Sequence, residues 1–427
     1  MMNYTEFLEY IYKRYSGNVK LGLDRMEGIL ADLGNPQNTP QGIHVAGTNG
    51  KGSVCATCEA LALAHGLNTG LNTSPHLIDY CERFRINGQN AAFSEVLEIF
   101  HRYEDIFTKW DASFFEITTT IAFQMLVEKH VKTAIIEVGL GGRLDATNLF
   151  TPEVSVITTI GLDHIKTLGN TVEKIAFEKA GIIKPGIPVV LGKIDQVALN
   201  VILEQAKANH AEVVLFGDGF TIDNVRLTQS GTVFDYAYKQ YKFKDLQASL
   251  LGMHQAVNVS TALTAFLIYC EKVNIVPDEQ FIRFGLRNIS WMGRMQLLRS
   301  NPTVIVDGAH NLQGVETFVN NLRQLFPDRK LLMVVSILAD KDYRHMLRAF
   351  APLAKCFYIS KNTSDRAAEI DAQTKVVKAL GCDYKTAPSV KEAYQLAMSD
   401  ASPDDVVIGA GSLYTVAEII SLSQQLS

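Results

Sequence analysis

The segment HVAGTNGKGSV, residues 44–54, decides the fold class of this chain. An apolar strand enters a glycine-rich turn and a helical pattern follows, which is the order of elements in a phosphate-binding loop. Glycines permit the tight turn and allow successive backbone N–H groups to point at one anion. Lys51 would reach the β- and γ-phosphates of a nucleotide, and the Ser53 hydroxyl suits Mg²⁺. The other members of the candidate loop are Gly47, Thr48, Asn49, Gly50 and Gly52.

The loop departs from the strict pattern G-x-x-x-x-G-K-[ST] at two positions. Val45 occupies the first glycine position, and Gly52 directly follows Lys51. A purely structural strand–helix turn is therefore the competing interpretation. A preceding strand, a following helix and a lysine inside the turn together favour nucleotide binding over that interpretation.

Short apolar runs alternate with helical patterns along the rest of the first 295 residues. Such alternation predicts a parallel sheet with helices on both faces. Residues Phe220–Leu246 alternate polar and apolar side chains and predict a small antiparallel excursion, after which a helix runs from about Gln255 to Val273. The predicted strands of the sheet are Gly42–Ala46, Thr133–Val138, Val154–Thr158, Pro188–Leu191 and Glu212–Phe216.

The periodic pattern lapses around residues 288–302, and a second alternation of strands and helices then begins. We therefore predict an α/β protein with two domains, a doubly wound P-loop ATPase-type domain (1–295) and a smaller C-terminal Rossmann-like domain (296–427). Ligands bind beyond the carboxyl ends of the strands in such sheets, so we expect a site in the cleft between the domains. The predicted strands of the second domain are Thr303–Val306, Leu331–Ser336, Cys356–Ile359 and Asp405–Ile408.

The composition excludes several classes of function. The 427 residues include 40 basic and 45 acidic side chains, a formal charge of −5, so neither nucleic acid nor a membrane is an expected partner. Six scattered cysteines do not form a disulfide framework, and the amino terminus lacks the apolar core of a signal peptide. We expect a cytoplasmic monomer.

Further polar residues follow predicted strands at the same edge of the sheet. Glu137 ends one strand and leads into GLGGRLDATN, which carries Arg143 and Asp145, while His164 follows the next strand and Lys179 lies on a later helix. Glu137 and His164 would converge near the glycine loop, where carboxylate, imidazole and hydroxyl groups suit Mg²⁺ or Mn²⁺. Each residue alone also has a structural interpretation, as a helix-capping carboxylate, a hydrogen-bonded loop histidine or a solvated lysine.

Three more segments are candidates for ligand contacts. Residues 73–88, which contain TSPHL and ERFRING, form either a loop that closes over a substrate or a structural loop and hairpin. In the second domain, DGAHN (307–311) and GAGSLY (409–414) are glycine-bearing strand–loop–helix transitions. They suit small ligands, but each is equally explained as a structural turn.

Taken together, these residues resemble the folylpolyglutamate synthase and dihydrofolate synthase family, a branch of the Mur ligase superfamily. The resemblance extends from LGLDRM (21–26) to GSLY (411–414), and ten motifs in order within this range are far more specific than one glycine loop. Met292 and Leu312 stand where the family often has proline, which we expect to alter loop stiffness rather than chemistry. The motifs are GTNGKGS, TSPHL, ERFRING, EVGLGGRLDATN, GLDH, EKAGI, LGMHQAVN, DGAHN, DKD and GSLY.

The resemblance implies a role for individual residues. The glycine loop would hold the phosphates of ATP, and the nucleotide would also contact Asn258, Arg294 and Asp307. A pair of Mg²⁺ ions would be bound by Ser53, Ser74, Glu137, His164 and Lys179, with Lys179 carbamylated. The residues expected in catalysis are Lys51, His164, Lys179, Asp307 and His310. Those expected to contact substrates are Arg83, Arg143, Asp145, His310, Ser412 and Tyr414.

The implied activity is ATP-dependent ligation of L-glutamate to a folate through an acyl phosphate, with residues 1–295 binding ATP and 296–427 forming the glutamate-ligase domain. Ligation of glutamate to dihydropteroate is a further reaction that the sequence leaves open. One alternative is another Mur-type ligase with a different carboxylate acceptor. A cell-wall Mur ligase would need a uridine-nucleotide domain, for which the roughly 40 residues before the loop are too few. The residues are also compatible with a non-catalytic nucleotide-binding module or a kinase-like phosphotransferase.

Overall fold

The computed structural model describes residues 2–14, 22–228 and 230–425, so Leu21, the first residue of the LGLDRM motif, lies outside the described residues. The chain divides into two compact units. The first comprises Met1–Val225, Val233–Ser249 and Gln255–Ser290, and the second comprises Arg226–Thr232, Leu250–His254 and Trp291–Ser427. The predicted domain boundary after residue 295 lies close to the main division, but the two short segments of the second unit have no counterpart in that prediction.

The first unit is built on an eight-stranded sheet. Its strands are β1 (Gln41–Ala46), β2 (Thr69–Asn72), β3 (Phe84–Ile86), β4 (Gln89–Asn90), β5 (Thr133–Glu137), β6 (Val154–Ile157), β7 (Val189–Leu191) and β8 (Val213–Leu215). They lie in the order β4-β3-β2-β5-β1-β6-β7-β8. Strands β2, β5, β1, β6, β7 and β8 pair in parallel, whereas β3 and β4 are antiparallel additions at one edge. Because β1 lies between β5 and β6, the segments that follow these three strands meet at one edge of the sheet.

The central strands of this sheet are buried on both faces because helices cover it. Strands β5 and β6 have no exposed residue, which is typical of a parallel sheet packed between helices. The helices are α1 (Tyr4–Lys13), α2 (Asp24–Asp32), α3 (Lys51–Ala64), α4 (Phe93–Lys109), α5 (Phe114–Glu128), α6 (Ile165–Leu168), α7 (Val172–Ala180), α8 (Gln196–Ala208), α9 (Met253–Lys272) and α10 (Glu279–Arg287). None of the helices within the described ranges has the length and apolar character needed to cross a bilayer.

A three-stranded sheet confirms the predicted antiparallel excursion. It consists of β9 (Phe220–Thr228), β10 (Gly231–Tyr238) and β11 (Tyr241–Ala248), in the order β11-β10-β9. Only residues 239–240 connect β10 to β11. So short a connection requires an antiparallel hairpin, since parallel neighbours need a crossover of a dozen or more residues.

The second unit has a six-stranded sheet in the order β12-β13-β17-β14-β15-β16. Its strands are β12 (Gln296–Ser300), β13 (Thr303–Asp307), β14 (Leu331–Val335), β15 (Ala354–Ile359), β16 (Tyr384–Thr386) and β17 (Val406–Ala410). Only β12 is antiparallel to its neighbour. The helices are α11 (Leu312–Leu325), α12 (Tyr343–Phe350), α13 (Ile370–Ala379), α14 (Val390–Asp400) and α15 (Leu413–Gln425). The predicted α/β fold class is thus confirmed.

A buried ion pair joins α3 to β3 and gives a test of what stabilises the first unit. Arg85 Nη2 lies 2.7 Å from Glu59 Oε2, and the Glu59 side chain is buried. Glu59→Gln removes the charge that compensates Arg85, so we expect it to lower the free energy of unfolding by about 3 kcal/mol. Glu98→Gln, at an exposed pair with Arg102, is the matched control and should cost roughly 0.5 kcal/mol or less. Urea denaturation of both variants measures the difference, and equal midpoints would contradict this assignment.

Candidate active site

The glycine loop connects β1 to α3, and its backbone conformation requires glycine. Gly47 has φ +152° and Gly50 has φ +87°, values that disfavour residues with a Cβ. A Cβ atom at Gly50 would lie only 2.6 Å from Asn258 Oδ1. Asn258 is buried and its Nδ2 donates to Gln255 Oε1 at 3.0 Å. The structure therefore places Asn258 of α9 against the loop, and its contact with a nucleotide stays a prediction.

Two threonines after β6 hold this loop in shape. Thr158 Oγ1 donates to the carbonyl oxygen of Asn49 at 2.6 Å, and Thr159 Oγ1 donates to the same oxygen at 3.1 Å. The amide of Asn49 donates to Thr159 Oγ1 at 3.0 Å, and the amide of Thr48 donates to the Thr159 carbonyl at 2.8 Å. We did not predict these residues. The signal was present as two consecutive hydroxyl side chains at the end of a strand that flanks the loop.

The loop geometry predicts a specific sensitivity at Gly50. Gly50→Ala places a methyl group against Asn258 and strains the backbone, so we expect ADP affinity to fall at least about tenfold. Gly217→Ala is the matched control, because Gly217 has φ +90° but a Cβ atom there would meet nothing within 4 Å. Calorimetric titration of ADP into both variants is the measurement. Equal loss of affinity in both would show that general backbone strain, not the loop, is responsible.

Four predicted site residues form a cluster beside Gly47, and two of them contact its carbonyl oxygen. Lys179 Nζ donates to this oxygen at 2.8 Å and Lys51 Nζ donates to it at 3.2 Å. Lys51 Nζ also lies 3.9 Å from Glu137 Oε1, and the amide of Ser74 donates to Glu137 Oε2 at 3.0 Å. Helix α7, the end of β5 and the segments after β1 and β2 thus bring two lysines, a carboxylate and a serine together beside the glycine loop.

Lys179 is buried in this cluster, which changes its protonation. Burial, and secondarily the positive charge of Lys51, lower the pKa of the Lys179 ammonium to about 7, while Asp163 and Asp145 oppose the shift. A substantial fraction of Lys179 is therefore an uncharged amine near neutral pH. An uncharged amine is the form that reacts as a nucleophile.

The loop that carries Ser74 is shaped by one carboxylate. Glu82 accepts hydrogen bonds from three consecutive backbone amides, Leu77 at 2.6 Å and Ile78 and Asp79 at 2.8 Å each. Within the described chain, the buried hydroxyl oxygen of Ser74 has no hydrogen-bond partner. A buried polar atom without a partner is a place where a ligand can bind.

The oxygen atoms near the glycine loop fit a hard divalent cation. Ser74 offers its unpartnered hydroxyl, Glu137 its carboxylate and Ser53 a buried hydroxyl in the first turn of α3. Oxygen donors of this kind suit Mg²⁺ or Mn²⁺. In the part of the chain that the structure describes, no three His, Cys, Asp or Glu side chains form a metal-binding group. A site here would therefore draw on the serine hydroxyls as well as on Glu137.

His164 is placed differently from the other candidate ligands. It precedes α6 with a left-handed backbone conformation, φ +50°, and its side chain is 50% exposed. Its Nε2 lies 3.9 Å from Asp163 Oδ2. Whereas Glu137 and Lys179 are buried in the cluster, His164 occupies an exposed turn, and its role as a metal ligand stays a prediction.

The candidate substrate residues of the GLGGRLDATN loop have structural partners. Asp145 is buried, and its Oδ2 accepts from the amide of Leu140 at 2.8 Å. Burial raises the pKa of the Asp145 carboxyl, although its hydrogen bonds oppose the shift. Arg143 is more exposed, pairs with Glu178 at 2.8 Å and stacks on Phe177 at 5.5 Å.

Arg83 lies in an aromatic environment. Its Nε donates to His76 Nδ1 at 2.8 Å, and its guanidinium lies 5.2 Å from the centre of the Phe114 ring and 5.8 Å from that of Tyr80. Burial, followed by the charge of Arg83, lowers the pKa of His76 to about 3. His76 is therefore a neutral acceptor that orients Arg83.

In the second unit, Asp307 organises the turn after β13. Its Oδ2 accepts from the amide of Met295 and its Oδ1 from the amide of Ala309, both at 2.8 Å. Burial raises the pKa of Asp307, an effect that Arg294 opposes by its charge. His310 Nδ1 lies 2.9 Å from the carbonyl oxygen of Gly308. Arg294, which precedes β12, is thus a neighbour of Asp307 and His310 at the end of β13.

Ser412 and Tyr414 differ in what they can offer a ligand. The buried Ser412 hydroxyl accepts from Asn362 Nδ2 at 3.1 Å and from the amide of Thr415 at 3.1 Å, and lies 2.8 Å from Thr415 Oγ1. This hydroxyl therefore takes part in an internal network. Tyr414, in the first turn of α15, is 44% exposed and is the more accessible of the two.

Two family models match the chain. The Mur ligase middle domain matches residues 45–266, which include the glycine loop and the cluster around Gly47. The Mur ligase, glutamate ligase domain matches residues 293–413, which include the turn after β13.

Proteins similar over their whole length support the same assignment. A dihydrofolate synthase/folylpolyglutamate synthase of Bacillus subtilis (strain 168) is 33% identical over 424 residues, 97% of this chain and 98% of the relative. The structure of Mycobacterium tuberculosis folylpolyglutamate synthase complexed with ADP has 29% identity, a TM-score of 0.92 and 98% coverage of both chains. A bifunctional folylpolyglutamate synthase/dihydrofolate synthase with Mn, AMPPNP and L-glutamate bound has 32% identity, a TM-score of 0.86 and 98% coverage of both chains. The family resemblance predicted from the motifs is confirmed, and this chain belongs to the dihydrofolate synthase/folylpolyglutamate synthase family of Mur ligases.

Proposed function

We propose that this chain ligates L-glutamate to a folate at the expense of ATP, through an acyl phosphate. As a member of its family, the chain is an ATP-dependent amide ligase. The observation that carries the specific proposal is the convergence of Lys51, Glu137 and Lys179 beside the glycine loop. That arrangement supplies the Lys51 cation for phosphoryl transfer and carboxylate oxygen atoms for a divalent metal ion.

ATP binds to the glycine loop in this proposal. The N–H groups of Gly47–Ser53 and the start of α3 would contact its phosphates, with Lys51 beside the γ-phosphate. Asn258, Arg294 and Asp307 would also contact the nucleotide. The ADP and AMPPNP bound to the two similar structures support this assignment.

The divalent metal ions bind beside the nucleotide. We assign their ligands to Ser53, Ser74, Glu137, His164 and Lys179 and expect a pair of Mg²⁺ ions, consistent with the Mn in one similar structure. When bound, such ions neutralise the charge that develops on a transferring phosphoryl group. Lys179 would join the set as a carbamate, formed when its neutral amine adds to CO₂ and loses a proton.

The reaction proceeds in two steps. A carboxylate oxygen of the acceptor attacks the γ-phosphorus of ATP, the bond to ADP breaks, and an acyl phosphate forms. The uncharged amino group of L-glutamate then attacks the acyl carbon, phosphate leaves, and the nitrogen loses a proton. Lys51 stabilises the oxygens of the phosphoryl group in the first step.

The substrates are assigned to separate residues. We place the acceptor near Arg83, Arg143 and Asp145, and the incoming glutamate near His310, Ser412 and Tyr414, with His310 as a catalytic group. The L-glutamate in one similar structure supports the second substrate. Residues 1–295 act as the ATP-binding domain, residues 296–427 as the glutamate-ligase domain, and the enzyme works as a cytoplasmic monomer.

One experiment tests the reaction and its acceptor. The purified chain is incubated with ATP, Mg²⁺, radiolabelled L-glutamate and either dihydropteroate or a tetrahydrofolate, and the products are separated by chromatography. We expect labelled amide products with one ADP and one phosphate per bond, and product from dihydropteroate would add dihydrofolate synthase activity. ATP hydrolysis that does not depend on glutamate, or a stable phosphorylated product, would overturn the proposal. Failure of both acceptors would favour a Mur-type ligase with a different carboxylate substrate.

A further inference from the structure

A buried chain of polar groups joins β1 to the GLGGRLDATN loop. His44 has no exposed surface, and its Nε2 lies 2.9 Å from Thr147 Oγ1. Thr147 Oγ1 donates to Asp145 Oδ1 at 2.5 Å, and the amide of Thr147 donates to the same oxygen at 3.0 Å. The amide of Leu140 holds the other oxygen of Asp145 at 2.8 Å.

The hydrogen-bond count fixes which nitrogen of His44 carries the proton. Thr147 has one hydroxyl proton and gives it to Asp145, so His44 Nε2 must be the donor in its contact with Thr147. Nδ1 is then a lone pair, and among the described residues it has no hydrogen-bond partner. The opposite tautomer would bury an N–H without an acceptor, which is more costly than an unused lone pair. Burial, and then the charge of Lys184, lower the pKa of His44 to about 3, so the ring is neutral.

A histidine is a poor choice if this position only fills space. The His44 ring packs with its edge toward Phe150, at 6.1 Å between ring centres, and an apolar side chain could make the same contact without burying a nitrogen. An orphaned buried nitrogen needs an explanation. The hydrogen bond from Nε2 to Thr147 explains why a histidine is present, because among the described residues it is the only hydrogen bond that the imidazole makes.

We propose that His44 is a positioning residue for the acceptor-substrate loop, in which its Nε2–H acts through Thr147 to hold the Asp145 carboxylate. The inference rests on the proposed function, which assigns this loop and its Asp145 to the acceptor substrate. His44 lies on β1 three residues before Gly47, the start of the glycine loop. One strand therefore sets the positions of the phosphate-binding residues and of the acceptor loop.

The test compares substitutions that keep or remove the donor. His44→Phe keeps an aromatic ring without the N–H, and His44→Gln can return an N–H to the place of Nε2. We expect His44→Phe to raise the KM for the acceptor about tenfold, the effect of losing one buried hydrogen bond, with the KM for ATP changed less than about twofold. His44→Gln should restore most of the affinity. Thr147→Val should reproduce the effect, and the double variant His44→Phe/Thr147→Val should be no worse than either single variant.

A second measurement does not depend on the identity of the substrate. The amides of Leu140 and Thr147 are held by Asp145, so their hydrogen exchange should be about tenfold faster in His44→Phe than in His44→Gln. If the parent chain ligates neither folate nor dihydropteroate, the proposed function fails while this measurement still decides the role of His44. Unchanged exchange and KM, or a KM for ATP that rises equally, would overturn the role. If His44→Phe does not fold, Thr147→Val against Thr147→Ser provides the same comparison.

Discussion

Lys51→Ala is expected to reduce the turnover of glutamate ligation about a thousandfold. The Lys51 ammonium lies 3.2 Å from the carbonyl oxygen of Gly47 and 3.9 Å from Glu137, so in the proposed reaction it faces the phosphoryl group that is transferred. Loss of one preorganised charge that stabilises a transition state costs about 10²–10³ in rate. Glutamate-dependent release of ADP under saturating ATP measures the change.

The control for this variant is a lysine on the same unit far from the chemistry. Lys207→Ala, on the exposed side of α8, should stay within about twofold of the parent. Thermal unfolding of both variants shows whether either is destabilised. If Lys51→Ala turned over within tenfold of the parent while folded, the assignment of the glycine loop to ATP would be wrong.

Lys179→Ala is expected to lose about a hundredfold in activity and to regain part of it when acetate or formate is added. The substitution leaves room beside Gly47 where the carbamate is proposed, and a small carboxylate can place oxygen atoms there. The expected loss is that of one metal ligand or its support. Initial rates across a concentration series of acetate, compared with chloride at equal ionic strength, are the measurement. Full activity without added carboxylate would contradict the carbamate.

The pH dependence of carbamylation follows from the lowered pKa of Lys179. Below its pKa of about 7 the side chain is mostly ammonium, and above it mostly the amine that reacts with CO₂. Carbamate occupancy at fixed dissolved CO₂ should therefore rise between about pH 6 and 8. Carbon-13 NMR in labelled bicarbonate detects the carbamate directly, with Lys179→Ala as the blank. A signal that persists in that variant would assign the carbamate to another lysine.

The sequence predicts the buried part of each sheet far better than the edges. Strands β1, β5 and β6 are buried on both faces, so they appear as nearly continuous apolar runs between helices. Strands β12 and β16 lie at the two edges of the second sheet and are largely exposed. Their sequences therefore lack an apolar pattern, and we did not predict them.

The candidate site divides in a similar way. Glu137 lies beside Lys51 of the glycine loop because parallel strands deliver their following residues to one edge, which the sequence pattern predicts. The exposed position of His164 depends on a left-handed turn that strand periodicity does not encode. The enclosure of Ser412 by Asn362 joins residues 50 positions apart, and nothing local in either segment predicts it.

The hydrogen bonds that Glu82 accepts from the amides of residues 77–79 have a consequence for inhibitor design. The loop that presents Ser74 has its shape before any ligand arrives, so a ligand that binds there loses little entropy in ordering it. The three amides already donate to Glu82, so the Ser74 hydroxyl remains a group on this loop that a ligand can bind. A fragment that pairs with this hydroxyl and also contacts the glycine loop would span two rigid surfaces. Its affinity should therefore grow with each well-placed contact rather than be lost to loop rearrangement.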